Sequence, residues 1–376
     1  MYALLFADHG VDSSRISVLF IIWSVTSFVC EVPSGAWADT FDRRRLLVLS
    51  AVIYGAGFAA WMIWQTFAGF ALGFVLWGLS SALMSGTFES LLYDELVERG
   101  ARERYAGLIG WAQSTALVAN LTASAAAAWL FHVGGYALVG WTSVAIAGLQ
   151  GLLAATLPVS HRARHAPHDD DAIAETEQAA SRYLAMLRAG LAESRHHPDV
   201  RRILLLAAAM VGFTAYDEYF PLVARDHGVS TTVVPILMAV TVVGQALGTA
   251  LVGRTARASG RTVAALLAGG AALVSVGALI TPYAGFVAIA VGYGLANNAM
   301  LVGETRLQDA ITGPARATVT SVLGLLEEIV AVTLFAGFAI GSRFLGFPTL
   351  VALLGVPALL VALAVVRWLP RPRDDS

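Results

Sequence analysis

The chain has 376 residues, of which 57% are apolar and only 13% charged, and its net charge is −2. A soluble domain carries about 25% charged residues because its surface faces water; with a mean hydropathy of +0.70, most of this chain's surface must face lipid instead. That balance excludes a basic nucleic-acid-binding protein, and the single cysteine, Cys30, lies in an apolar run and cannot form an internal disulfide.

A membrane span needs about 20 mostly apolar residues. Residues 2–7 read as the end of a first span whose start is missing. Spans 2 to 6 then fall at 16–38, 46–64, 68–92, 106–130 and 136–157. Spans 7 to 12 follow at 201–224, 232–253, 262–281, 284–308, 316–341 and 347–369. Every basic residue is arginine, and the arginines are placed unequally. One set of loops carries Arg43, Arg44, Arg45, Arg99, Arg102, Arg104, Arg162, Arg164, Arg254, Arg257, Arg261 and Arg316, with Arg371 and Arg373 in the tail; the other carries only Arg15, Arg225 and Arg343. Positive loops stay inside, so the chain is expected to be a multi-pass protein of the inner (plasma) membrane. The central linker and the C-terminus are then cytoplasmic.

Residues 158–200 are the only long polar stretch and divide a first half, 1–157, from a second, 201–369, which ends in a tail, 370–376. The linker opens on a His/Asp tract, read as solvated rather than metal-binding. It continues as an amphipathic helix with the stripe Tyr183, Leu184, Leu187 and Leu191. The two halves repeat each other in parallel. Ala7-Asp8-His9-Gly10-Val11-Asp12 returns as Arg225-Asp226-His227-Gly228-Val229-Ser230. The register then pairs Gly35 with Gly253, Asp39 with Arg257, Arg43 with Arg261 and Gly78 with Gly294. An all-α membrane protein of two six-helix halves is therefore expected. The same register puts the start of span 1 roughly fifteen residues before Met1, so helix 1 is expected to be incomplete in this chain.

The loop after span 2 reads Gly35-Ala36-Trp37-Ala38-Asp39-Thr40-Phe41-Asp42-Arg43-Arg44-Arg45. It resembles the signature loop of the major facilitator superfamily, with Thr40 at a position usually basic and Asp42 at one usually glycine; Gly260 supplies that glycine in the second half. Glu31 to Gly35, Ser85 to Leu96 and Arg316-Ala317-Thr318 look like the branch with many putative drug exporters. The resemblance implies the major facilitator fold, a monomer, and a gating latch built from Gly35, Asp39, Arg43, Arg44, Asp94, Gly253 and Arg261. In that latch Asp39 faces the N-terminal end of span 11, Arg43 pairs with Asp94, and the pairs release as the cytoplasmic side opens. Span 5 lacks the Gly-Pro-rich stretch frequent in antiporters of the family.

Ionisable groups inside a membrane are costly and mark pathways or relays. Glu31 stands eight residues before Asp39, Asp217 and Glu218 lie within span 7, and Glu327 and Glu328 lie near the middle of span 11. These five are the proton-coupling candidates. Adjacent residues on an α-helix point about 100° apart, so one member of each adjacent pair is expected to face the cavity. Tyr54, Trp77, Trp111, Gln113, Tyr216, Tyr219, Gln245 and Asn298 are candidates for the substrate wall, with the aromatic rings suited to a cation. Together these residues point to a small-molecule transporter that works by alternating access and uses protons and no cofactor or metal. Export of a small amphipathic or cationic compound is the leading expectation, with uptake of a nutrient or metabolite as the alternative. A membrane enzyme or a non-transporting sensor is the alternative of another class. No paired acidic metal motif and no phosphate-binding loop supports an enzyme.

Overall fold

The computed structural model describes residues 1–158, 181, 185, 188, 198–310 and 316–370. The stripe expected in the linker and the His/Asp tract lie outside the described residues, as do Arg371 and Arg373. Among the described residues every regular element is helical. Nine stretches among the described residues are long and apolar enough to cross a membrane. One of them, Arg102–Ala155, is 54 residues long, about twice a span at 1.5 Å per residue. It turns at Gly134 and Gly135, where Gly135 has φ +57°, and so supplies spans 5 and 6. Span 8, Val234–Ala250, is an apolar helix of 17 residues, and span 1 is the seven-residue helix Tyr2–Asp8.

Local chemistry explains where the helices start and break. Asp12 caps span 2 (Ser13–Thr40) by accepting from the Arg15 amide. Asp42, at the position the family resemblance reserves for glycine, caps span 3 (Arg43–Ile63) by accepting from the Arg44 amide. Ser259 does the same for span 9 (Gly260–Leu279). Span 4 runs Phe67–Met84 and resumes at Thr87–Glu98 after Gly86, whose φ of +69° ends the first segment.

Span 7 departs from the expected continuous helix. It comprises Pro198–Gly212, a tighter 3₁₀ segment Phe213–Tyr219, and Phe220–Asp226. Pro221 is the cause: it lacks an amide hydrogen and its ring crowds the carbonyl four residues earlier, that of Asp217. Span 12 breaks the same way between Phe347–Leu353 and Gly355–Trp368, four residues before Pro357.

The halves are built alike. Span 2 packs on span 4 and span 3 on spans 4 and 6; span 8 packs on span 10 (Pro282–Ala310), and span 9 on spans 10 and 12. Between the halves span 2 meets span 11 (Arg316–Gly341), and span 8 meets the Tyr105–Ala155 helices. The repeat glycines sit at matching contacts. A Cβ on Gly78 would stand 3.0 Å from the Ser27 amide of span 2, and one on Gly294 would stand 2.3 Å from the Gly244 carbonyl of span 8. Gly10 and Gly228 turn the chain with φ of +80° and +76°.

An aromatic plug closes the Arg-poor end. Phe6, Phe20, Phe74, Tyr219 and Phe335 are all buried there, and Tyr219 stacks on Phe338 at 3.9 Å. Burying apolar rings gains little over lipid, so close packing and polar bonds must hold such a bundle. Gly294→Val should therefore destabilise the protein by at least about 1–3 kcal/mol through overpacking. Gly110→Val, with nothing within 4 Å of its Cβ, should not. Thermal unfolding of the two variants in detergent checks this.

Candidate functional site

Between the halves, on the Arg-rich side of the plug, lies a cavity of about 520 Å³. Span 2 lines it with Trp23, Ser24, Ser27, Phe28 and Glu31, and span 4 with Ser81, Ala82 and Ser85. Span 7 adds Val211, Thr214, Ala215, Asp217 and Glu218, and span 11 adds Gly324, Glu327, Glu328, Ala331 and Phe335. All five acidic candidates thus converge on one space, and none of the described lining residues is basic.

The expectation that one member of each adjacent pair would face the cavity is corrected: all four line it. In span 7 the 3₁₀ segment replaces the regular helix on which the expectation rested. In span 11 the lining residues Gly324, Glu327, Glu328, Ala331 and Phe335 recur at helical spacing, and the stripe is wide enough to include both acids.

The acids are held differently. Asp217 accepts from the Tyr293 hydroxyl of span 10 at 2.8 Å, within its own half. Glu218 accepts from the Tyr2 hydroxyl of span 1, across the halves. Glu328 accepts from the Ser24 hydroxyl of span 2, also across the halves. Trp23 Nε1 is buried and, among the described residues, has no hydrogen-bond partner. An unmade bond at a buried donor costs about 1–3 kcal/mol.

None of the eight residues expected to form the substrate wall lines this cavity. Tyr54 and Trp77 pack behind Trp23, with ring centroids 5.7 Å apart and Trp77 5.6 Å from Trp23. Tyr216 lines a smaller cavity inside the second half. Tyr219 is in the plug and donates to the Ser17 hydroxyl at 2.9 Å. Asn298 is buried and donates to the Gly248 carbonyl, while the Gln245 carbonyl receives Asn297; both tie span 10 to span 8. Trp111 and Gln113 are exposed on span 5 and line neither cavity. The wall is made by spans 2, 4, 7 and 11, whereas the expected residues were spread over spans 3, 4, 5, 7, 8 and 10. Trp23, Ser24, Ser27 and Phe28 were missed, although their spacing ahead of Glu31 places them along the same helix.

Near the Arg-rich end Arg43 is buried and donates to Asp94 at 2.6 Å and to the Ala38 carbonyl at 3.1 Å. The family resemblance implies this Arg43–Asp94 pair, and the two side chains stand together here. The pair joins the start of span 3 to the second segment of span 4. The second half has a brace of opposite polarity: Arg306, buried near the end of span 10, donates to the Ala256 carbonyl at 2.6 Å and to the Ala258 carbonyl. The Asp39 side chain lies outside what the structure describes. The Arg44 amide donates to the Asp42 cap, Arg261 is exposed, and a Cβ on Gly253 would meet nothing within 4 Å.

The sequence matches the Major Facilitator Superfamily over residues 1–333. No curated protein sequence matches the chain. Among solved structures it is similar to a D-xylose–proton symporter, with TM-score 0.71 and 16% identity over 99% of this chain and 93% of that one. It is also similar to the nucleoside transporter NupG, with TM-score 0.69 and 13% identity over 97% and 93%. The inward-open xylose transporter XylE from E. coli gives TM-score 0.69 and 14% identity over 98% and 90%. At these identities the likeness is one of fold. The brace itself is testable: Asp94→Ala should cost about 1–3 kcal/mol, between the values for exposed and buried pairs. Thermal unfolding followed by tryptophan fluorescence measures it, and an unchanged midpoint would mean that Arg43 does not need the carboxylate.

Proposed function

The chain belongs to the Major Facilitator Superfamily, and from that premise we propose that it is a proton-coupled transporter of a small, donor-rich polar solute. The observation that carries this reading is the set of five carboxylates on one cavity between the halves, with no basic residue on its described wall. Carboxylates accept hydrogen bonds and stabilise positive charge, so the solute offers hydroxyl or amino donors to Glu31, Asp217, Glu218, Glu327 and Glu328. It also offers one acceptor to Trp23 Nε1, while Trp23, Phe28 and Phe335 supply flat apolar faces for a ring.

Uptake by symport is the leading direction. The structures similar to this chain include a D-xylose–proton symporter and a nucleoside transporter, and polyhydroxyl solutes of that kind match a wall of carboxylates and serine hydroxyls. Export of an amphipathic cation is the second reading, favoured by the absence of basic residues on the described wall: a cation and protons would compete for the same carboxylates, and competition gives exchange. In either case the Arg-rich end faces the cytoplasm. The halves 1–157 and 201–369 rock about the cavity, joined by the linker 158–200, and the unit is a monomer.

Purified protein in liposomes separates these readings. An acid exterior should drive accumulation of a labelled pentose or nucleoside. A protonophore should abolish that accumulation, and Glu327→Gln or Glu328→Gln should remove most of the rate. Accumulation of ethidium against an acid lumen instead would establish exchange, and no proton-dependent flux of any of these solutes would reject the proposal.

A further inference from the structure

The two neighbouring acids of span 7 have partners in different halves, and that difference points to separate roles. Tyr293, which holds Asp217, belongs to the same half as Asp217 and moves with it. Tyr2, which holds Glu218, belongs to the other half. Tyr2 begins the short helix Tyr2–Asp8, and the far end of that helix makes a second bond to span 7: Asp8 pairs with Arg225 at 2.7 Å. Tyr2 and Asp8 are about 9 Å apart along their helix, and Glu218 and Arg225 about 10 Å along theirs. Spans 1 and 7 are therefore closed on each other by one polar bond at the cavity and another at the Arg-poor surface, with Phe6 and Phe220 buried in the plug between.

The internal repeat shows that the outer bond is an addition to the plan. Asp8 and Asp226 are equivalent, and each holds the start of the sixth span of its own half: Asp8 accepts from the Tyr136 hydroxyl at 2.5 Å, and Asp226 from the Phe347 amide at 3.0 Å. Arg225 has alanine, Ala7, as its counterpart. The arginine thus adds a contact between halves to an aspartate that otherwise serves within one.

We propose that Glu218 reports the occupancy of the cavity to the Arg-poor seal through Tyr2, a positioning residue, while Asp217 serves the cavity from within its own half. The ionised carboxylate accepts a charge-assisted bond from Tyr2, roughly twice as strong as a neutral one. A proton, or a donor group of the solute, on Glu218 weakens that bond and frees the inner end of the seal. The groups that face Glu218 are Tyr2 from span 1, Asp217 beside it and Tyr293 from span 10. Glu31, Glu327 and Glu328 share the cavity from spans 2 and 11. This inference rests on the transporter reading, but it is tested without any solute, so its failure and that of the flux assay are separate results.

The test is labelling of a cysteine at position 17, made as Ser17→Cys in a Cys30→Ala background, with a membrane-impermeant maleimide. Ser17 is fully buried at the sealed end, so labelling reports opening of that end. Tyr2→Phe and Glu218→Gln should each raise the labelling rate several-fold, and the double variant should be no faster than the faster single one. Asp217→Asn, which bears on the same cavity, should leave labelling at the rate of the parent. Asp8→Arg should raise it, and Asp8→Arg with Arg225→Asp should restore protection. Multiplicative effects of Tyr2→Phe and Glu218→Gln would make Tyr2 a packing residue only. Equal opening by Asp217→Asn, or no change with Tyr2→Phe in a protein with an unaltered thermal midpoint, would overturn the proposal.

Discussion

Pro221 imposes the constraint on which the site depends. It removes one amide hydrogen from span 7 and crowds the carbonyl of Asp217, which disfavours a regular α-helix in the turn just before it. The chain tightens into the 3₁₀ segment Phe213–Tyr219 at the depth where Asp217 and Glu218 sit. Both carboxylates then reach the cavity, and each finds a tyrosine from a different neighbour. In lipid no water satisfies a polar group left over by such a break. The tyrosine hydroxyls satisfy the side chains of Asp217 and Glu218, and one of them ties the two halves together.

The parallel repeat explains what is common to the halves, and its departures show where they differ in duty. Gly10 and Gly228 make the same left-handed turn, and Asp8 and Asp226 hold the same neighbouring span. Near the Arg-rich end each half braces the loop after its second span, with Arg43 to Asp94 in one and Arg306 to two carbonyls in the other. Each of these contacts joins elements of a single half. Among the described residues, bonds that cross between halves around the cavity and at the Arg-poor end include Tyr2 to Glu218, Ser24 to Glu328, Tyr219 to Ser17 and Arg225 to Asp8.

Close packing at small residues supplies the rigidity. Gly244 and Gly294 approach backbone to backbone, as do Gly270 and Gly292, and Gly277 and Gly285. Such approaches give van der Waals contact that lipid cannot match, and they leave aromatic side chains to fill the plug rather than the helix interfaces.

The sequence by itself determined the lipid-facing class, the spans and their bounds to within a few residues, the two-fold repeat and the five acids within the spans. These follow from properties that run along the chain: hydropathy, charge placement and register. Only the tertiary structure decided which faces meet. It showed that spans 2, 4, 7 and 11 make the wall, that Trp111 and Gln113 stand away from it, that the buried Trp23 Nε1 has no partner among the described residues, and that Tyr2 reaches Glu218. The reason is physical. A helix in a membrane is apolar on every side, so its sequence pattern does not distinguish a face toward lipid from one toward a neighbour or a cavity. That choice is made by contacts between residues hundreds of positions apart.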